Sequence, residues 1–213
     1  MNGSDSTRPR ILGLLPRGEA IRNFAYSGAL EELATGSDLT LASVIPSDEV
    51  RTLLETKFGP ILELDDHLQP WRAGIWHELL DLAHGRWLWS EAAQERWRLR
   101  DLEARTFSAR VTRTAKRSIA RVAARPRGLA TLERLHAAAS IRWDVSDSDR
   151  AAIARLDPTL VFNGSQVHGR PGHRLLMAAR ERGIPIASFL FSWDNLTSQG
   201  RIVPPARGFW GTV

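Results

Sequence analysis

The sequence contains no cysteine, which excludes disulfides, thiolate zinc sites, iron–sulfur clusters and cysteine nucleophiles. It also lacks any apolar run near the roughly 20 residues of a membrane-spanning helix. The first ten residues, MNGSDSTRPR, have no apolar stretch of the kind found in secretory signals. We therefore expect a cytoplasmic protein.

Lysine is scarce, since Lys57 and Lys116 are the only lysines among 29 basic residues. Arginine in place of lysine indicates a GC-rich coding bias more than selection for phosphate contacts, so we do not expect a nucleic acid partner despite the pI near 10.8. The basic excess is local: residues 96–134 hold 12 basic and 3 acidic residues, against a net charge of +5 for the whole chain. A chain of 213 residues buries enough surface to hold a core without disulfides or metals.

Short apolar runs alternate with helical patterns near both ends of the sequence. They predict strands at residues 10–16, 38–46, 60–64, 157–163 and 184–191, and helices at 20–34 and 48–58. A third helix is predicted through Leu175, Leu176 and Ala179, ending at Gly183. Ser47 has the position of a helix cap, followed by the acidic residues Asp48 and Glu49 in the first turn. The pattern indicates an α/β fold, a Rossmann-like parallel sheet with helices on both faces.

Residues 71–140 show helical periods without strand signals and form a predicted helical insertion. One apolar stripe in it, which we expect to face a core, consists of Phe107, Val111, Ala115, Ile119 and Val122. The basic side chains that this arrangement places on a solvated outer face are Arg110, Arg113, Arg117 and Arg121. The whole chain then comprises a disordered N-terminus at 1–9, one domain at 10–203 and an irregular tail at 204–213.

Common nucleotide and metal motifs are incomplete. Gly13 and Gly18 have the separation of a phosphate-binding loop, but Glu19-Ala20 stands where Lys-Ser/Thr is needed. No G-x-G-x-x-G follows the first strand, which argues against a dinucleotide site. The histidine spacings do not match metal ligands on one helix face, so we expect no metal.

Two polar loops follow predicted strands. The first, Arg17 to Asn23, is dense in Arg, Glu and Asn, and the second, Ser192 to Ser198, carries an aromatic ring, a carboxylate, amides and hydroxyls. Each loop alone is equally consistent with a hydrogen-bonded capping turn. In an open parallel sheet, however, both lie beyond the carboxyl ends of strands, where ligands bind. Their occurrence together therefore favours a binding site.

The segments LLPRGEAIRNF (14–24), PTLVFNGS (158–165) and FSWDNLTSQGR (191–201) carry a resemblance. Over about residues 10–203, the chain resembles the N-terminal half of bacterial two-domain sugar transferases of the GT-B type, a group that includes glycerophosphate transferases of surface-polymer synthesis. In that fold the N-terminal domain holds the acceptor and the C-terminal domain holds the nucleotide-activated donor. Since the second domain is missing from this sequence, we expect no cofactor on this chain and a donor-binding domain or subunit as its partner.

The resemblance implies a sugar or polyol-phosphate acceptor and assigns roles to both loops. An inverting transfer needs a general base near the acceptor hydroxyl, for which Asp194 is the first candidate and Glu19 the second. Arg17 and Arg22 would hold an anionic group. The other predicted substrate-binding residues are Gly18, Asn23, Asn163, Trp193, Asn195, Thr197 and Ser198, with Trp193 stacking on a sugar face.

An alternative function from a different class is a noncatalytic binding domain. Trp87, Trp89 and Trp97 lie just before the arginine-rich segment, and tryptophan favours the membrane interface. Residues 87–127 would then dock onto a partner protein or onto the inner face of the cell membrane.

Overall fold

The computed structural model describes residues 8–165 and 170–190. Its five strands are β1 (Arg10–Leu15), β2 (Asp38–Ser43), β3 (Leu62–Glu63), β4 (Leu160–Asn163) and β5 (Ile186–Ser188). They form one sheet in the order β3-β2-β1-β4-β5. Every neighbouring pair is parallel. The predicted α/β class with a parallel sheet is confirmed.

Nine α-helices lie within the described ranges. They are α1 (Gly18–Ala20), α2 (Ala29–Gly36), α3 (Asp48–Phe58), α4 (Trp71–Leu88), α5 (Glu91–Glu103), α6 (Phe107–Ala123), α7 (Pro126–Trp143), α8 (Asp147–Leu156) and α9 (His173–Glu181). A π-helical turn, Ile21–Ala25, directly continues α1. The chain forms two compact units: a sheet unit (residues 8–67 and 145–190) and a helical unit (residues 68–144).

The first predicted helix, 20–34, is wrong as a single element. The chain instead forms α1 with its π-helical turn and then a separate helix, α2. Gly28 divides them with φ of +83°, a left-handed conformation that glycine adopts without strain. Ser27 supports the break, because its hydroxyl donates to the Asn23 carbonyl and accepts from the Ala29 amide.

All five predicted strands exist, and each is shorter than expected. The predicted strand 60–64 contributes only Leu62 and Glu63, at one edge of the sheet; Pro60, which has no amide hydrogen to donate to a ladder, lies outside it. The helix cap at Ser47 is confirmed, since its side chain accepts from the Val50 amide. Within the predicted disordered stretch 1–9, Arg8 donates to the Ala34 carbonyl and Pro9 accepts from the Asp38 amide. The predicted tail, 204–213, lies outside the described residues.

The sheet unit has helices on both faces. On one face, Leu15 and Leu41 pack with side chains of the helices that follow β1 and β2, including Ile21, Leu30 and Leu54. Alternate residues of a strand face opposite sides, so Leu14 faces the other side. There it lies beside Gly172, the residue that caps α9: a Cβ at Gly172 would be 3.6 Å from Leu14 Cδ1. This two-sided packing leaves the strand ends as the accessible parts of the sheet.

The helical unit is built around α4, which packs against α5, α6 and α7. Its buried core includes Leu79, Leu80, Leu82, Trp97 and Leu132. Side-chain caps begin α5 at Ser90 and α6 at Thr106, and Pro126 occupies the first turn of α7. None of the helices that the structure describes is long and apolar enough to cross a membrane.

The predicted orientation of α6 is wrong. Phe107, Val111, Ile119 and Val122 are exposed, whereas Arg113 and Ala120 are buried. Periodicity identified the stripe correctly, but periodicity does not specify which face meets a neighbour. Carboxylates on neighbouring helices pair with Arg113, Lys116 and Arg117 and bring this side of α6 inward. Arg110 and Arg121 are exposed, as predicted.

Candidate functional site

The candidate site lies at the carboxyl edge of the sheet, between β1 and β4. From β1 the chain continues to β2 and β3 on one side, while β4 and β5 lie on the other side. In open α/β sheets ligands usually bind where strand order reverses, between the loops that follow the two strands, and we call this position between the β1 and β4 loops the crevice. The loop after β1 begins at Pro16 and Arg17, and the loop after β4 begins at Gly164 and Ser165.

Arg17 and Glu19 form an ion pair at the β1 side of the crevice. Arg17 Nε lies 3.0 Å from Glu19 Oε2, and the two side chains are 36% and 51% exposed. The Arg17 carbonyl accepts hydrogen bonds from the amides of Ala20 and Ile21 at 3.0 and 3.2 Å. These hydrogen bonds fix the backbone of the turn. On either side of Gly18, the Arg17 guanidinium and the Glu19 carboxylate are accessible to solvent and are paired with each other.

Arg22 and Asn23 follow on the π-helical turn. Arg22 is exposed, and its Nε donates to Asn23 Oδ1 at 3.3 Å. Phe24 anchors this turn, because its ring meets Phe162 and Phe189 edge-on at centroid distances of 5.0 and 4.9 Å. Single π-helical turns occur frequently at functional sites. Here the turn places Arg22 two residues before an aromatic contact with β4.

Asn163, a predicted substrate-binding residue, is the last residue of β4. It is 2% exposed. Its Nδ2 donates to Ser188 Oγ at 3.5 Å, and its Oδ1 accepts from the Ser165 amide at 3.4 Å. The amide thus joins β5 to the loop after β4. The structure places Asn163 where it shapes this loop, with its side-chain atoms on protein partners.

The sequence interpretation missed Gly164, at which the two sides of the crevice meet. Its amide donates to the Leu14 carbonyl at 2.9 Å. A Cβ at this position would lie 3.1 Å from that carbonyl oxygen and 3.3 Å from Ala20 Cβ. Only glycine allows this approach without displacement. The available signal was a glycine directly after a buried strand, which marks a close backbone contact.

The second predicted loop, with Trp193, Asp194, Asn195, Thr197 and Ser198, lies outside the described residues. Of the predicted site residues that are described, Arg17, Gly18 and Glu19 lie at the β1 side and Asn163 at the β4 side. Among the described residues, no group of three or more His, Asp or Glu side chains is arranged to hold a metal ion.

The crevice offers chemistry for a polar ligand. Arg17 and Arg22 are donors suited to an anionic oxygen, and Glu19 is an acceptor suited to a hydroxyl. Comparison with protein-family models, with curated proteins and with solved structures gave no match for the chain, which leaves the geometry of this edge as the basis for a function.

Proposed function

We propose that the sheet unit binds a hydroxyl-bearing anionic acceptor between β1 and β4, as the acceptor half of a glycosyltransferase-like enzyme. The acceptor class is a sugar or polyol phosphate, and the donor is a nucleotide-activated sugar or glycerophosphate held by a second domain or subunit. The observation that supports the proposal is the Arg17–Glu19 pair at the point where strand order reverses. An arginine there favours an anion, and a crevice there favours a small ligand.

The ion pair suggests how binding prepares the reaction. A ligand phosphate competes with Glu19 for Arg17, since charged hydrogen bonds to arginine are strong and bidentate for phosphate. Displacement of Glu19 from Arg17 leaves its carboxylate free to accept a proton from the acceptor hydroxyl. The hydroxyl oxygen then attacks the donor while the nucleotide leaves with the electron pair of the broken bond. Asp194, which lies outside the described residues, remains the first predicted base and Glu19 the second.

The first experiment measures binding of glycerol 3-phosphate to the full chain by titration calorimetry. Arg17→Gln should weaken binding by about tenfold or more, because it removes a charged hydrogen bond worth about 1.5–3 kcal/mol. Glu19→Gln should tighten binding, because it removes the internal competitor for Arg17. The opposite signs of these two changes distinguish a ligand site from a structural ion pair.

Arg10→Gln is the matched control. Arg10 is also a half-exposed arginine, 43% against 36% for Arg17, and it pairs with Asp157 at 2.6 Å, but it begins β1 and so lies at the opposite edge of the sheet. It should leave the affinity unchanged. Equal losses in Arg10→Gln and Arg17→Gln, or no binding of the phosphate at millimolar concentrations, would contradict the proposal.

The second experiment addresses the chemistry, in a preparation that also contains a donor-binding domain. Asp194→Asn should lower kcat by about 10² to 10⁴ if Asp194 is the base. A wild-type rate in that variant together with a comparable loss in Glu19→Gln would assign the base to Glu19. Wild-type rates in both variants would exclude both carboxylates as the base.

A further inference from the structure

The helix α6 exposes its large apolar side chains. Phe107 is 83% exposed, Val111 53%, Ile119 49% and Val122 70%. Together with Ala115 they recur at helical spacing along one side of α6, and we call them the α6 stripe. Contiguous apolar surfaces of this kind on a folded protein mark interaction sites.

Ion pairs fix the opposite side of α6 inward. Lys116 Nζ lies 2.6 Å from Glu78 Oε2 on α4. Arg113 and Arg117 both reach Asp101 on α5, at 3.1 and 2.6 Å. The small residues Ala109, Ala120 and Ala123 complete the inner side and allow close packing. Because these contacts set the rotation of the helix, the α6 stripe points away from its neighbours α4 and α7.

The surroundings of the α6 stripe are strongly basic. The helix itself contains five cations and no acidic residue. The exposed arginines on it and at its two ends are Arg105, Arg110, Arg121, Arg125 and Arg127. Within residues 8–165 and 170–190, no carboxylate forms an ion pair with any of these five. On a helical wheel Arg110 and Arg121 border one side of the stripe, as expected from 100° per residue.

We infer that α6 lies in the headgroup region of an anionic lipid bilayer, with the α6 stripe among the acyl chains and the flanking arginines on lipid phosphates. Charge complementarity favours an anionic bilayer as the binding partner. Basic side chains beside an apolar helix face are attracted to anionic lipids and extend along the interface. The helix α6 has 17 residues and is about 25 Å long. It can therefore contact a bilayer surface along its whole length.

A second copy of the chain fits less well. Two-fold pairing of the α6 stripe would place the arginine-rich flanks of both copies against each other without acidic partners on α6.

The structure also changes the residues that make the contact. Trp97, expected at the interface, is buried and lies beneath Arg113, Arg117 and Arg121.

The test is co-sedimentation of the full chain with vesicles at 0.1 M NaCl. One vesicle contains equal parts phosphatidylglycerol and phosphatidylcholine, and the other contains phosphatidylcholine alone. The wild-type chain should bind the anionic vesicle at least tenfold more tightly, and binding should weaken at 0.5 M NaCl because salt screens the arginines. The double variant Val111→Glu/Val122→Glu should lose at least tenfold in affinity.

Thr112→Glu is the matched control for the glutamates. Thr112 is exposed at the border of the α6 stripe, on the side away from Arg110 and Arg121, whereas Val111 lies within the stripe. The two single Glu variants make the same change of charge. Val111→Glu should weaken binding several-fold more than Thr112→Glu, and circular dichroism should show all variants folded because the replaced side chains are exposed. Equal effects of Val111→Glu and Thr112→Glu, or no preference for the anionic vesicle, would overturn the inference. A dimer in vesicle-free solution that the double variant dissociates would also overturn it and would assign the stripe to a second copy.

Discussion

Arg113 packs on Trp97 inside the helical unit, with its guanidinium carbon 5.8 Å from the centroid of the indole ring. Its side chain is only 9% exposed, and its Nε donates to Asp101 Oδ1 at 3.1 Å. Its Nη1 and Nη2 are buried and have no hydrogen-bond partner among the residues that the structure describes. The inner face of α6 therefore combines favourable packing with two unsatisfied donors.

This combination predicts opposite effects for two substitutions of Arg113. Arg113→Met keeps the long side chain on Trp97 and removes the unsatisfied donors, while Asp101 keeps Arg117 at 2.6 Å. We expect stability equal to wild type or higher by about 1 kcal/mol. Arg113→Ala also removes the packing and should cost about 2 kcal/mol. Urea unfolding measures both; a large loss in Arg113→Met would show that the Nη atoms have partners in solution.

Gly128→Ala should destabilise the connection between α6 and α7. A Cβ at Gly128 would lie 2.4 Å from the carbonyl oxygen of Ala123 and 2.8 Å from its Cα, so the backbone must move. We expect a loss of about 1–3 kcal/mol in the free energy of unfolding, measured by urea titration.

The control for that substitution is Gly74→Ala, inside α4. Apart from the adjacent backbone of α4 itself, no atom of the described residues lies within 4 Å of a Cβ at Gly74. Alanine should therefore raise stability by about 0.5–1 kcal/mol through its better helix propensity. Equal effects at the two glycines would show that the close contact at Gly128 relaxes without cost.

The pair Glu31–Lys57, which joins α2 to α3, should make stability depend on pH. The hydrogen bond from Lys57 lowers the pKa of the Glu31 carboxyl below its ordinary value. The stabilisation is then present above the pKa of the unfolded state, about 4.3, and is lost as the pH falls through the lower pKa of the folded state. Lys57→Met should destabilise by at most about 1 kcal/mol at pH 7, since both side chains are more than one third exposed.

At pH 2.5 the difference between Lys57→Met and the wild type should shrink, because protonation of Glu31 removes the pair from the wild type and the variant already lacks it. Chemical unfolding at the two pH values tests this. Glu32→Gln, at the adjacent exposed carboxylate of α2, serves as the control and should show a smaller change between the two pH values. An effect of Lys57→Met that is constant with pH would assign the stabilisation to the lysine methylene groups.

The sequence predicted the strands of the sheet because buried runs such as Arg10–Leu15 are nearly continuous in apolar residues, the pattern of a parallel sheet. It did not predict the separation of α2 from the preceding turn, since that depends on the backbone conformation of a single glycine, Gly28. The position of the crevice depends on β1 and β4 being neighbours in the sheet. That order is set by pairing between segments that are far apart in the sequence. From the sequence alone, Arg17 and Glu19 were predicted to follow a strand. Only the fold shows that this strand, β1, is the one next to which the strand order reverses.

The orientation of α6 shows a second limit of sequence interpretation. An amphipathic pattern gives two faces, and we assigned the apolar face to the interior because that is the usual case in globular proteins. In the structure, ion pairs with Asp101 and Glu78 bring the opposite side of α6 inward. Both carboxylates lie on other helices, and the periodicity of the α6 sequence carries no information on where those helices are.

The order of strands in the sheet also has a consequence for folding. Thr159, just before β4, donates its amide to the carbonyl of Arg10, which lies 149 positions earlier in the sequence. Closing a loop of that length costs about 4 kcal/mol in chain entropy. This cost arises before the pairing of β1 with β4 contributes any stabilisation. Contacts among α4, α6 and α7 span much shorter stretches of sequence, so we expect them to form sooner. During refolding we therefore expect the amides of β4 to gain protection from hydrogen exchange after those of α4 and α7.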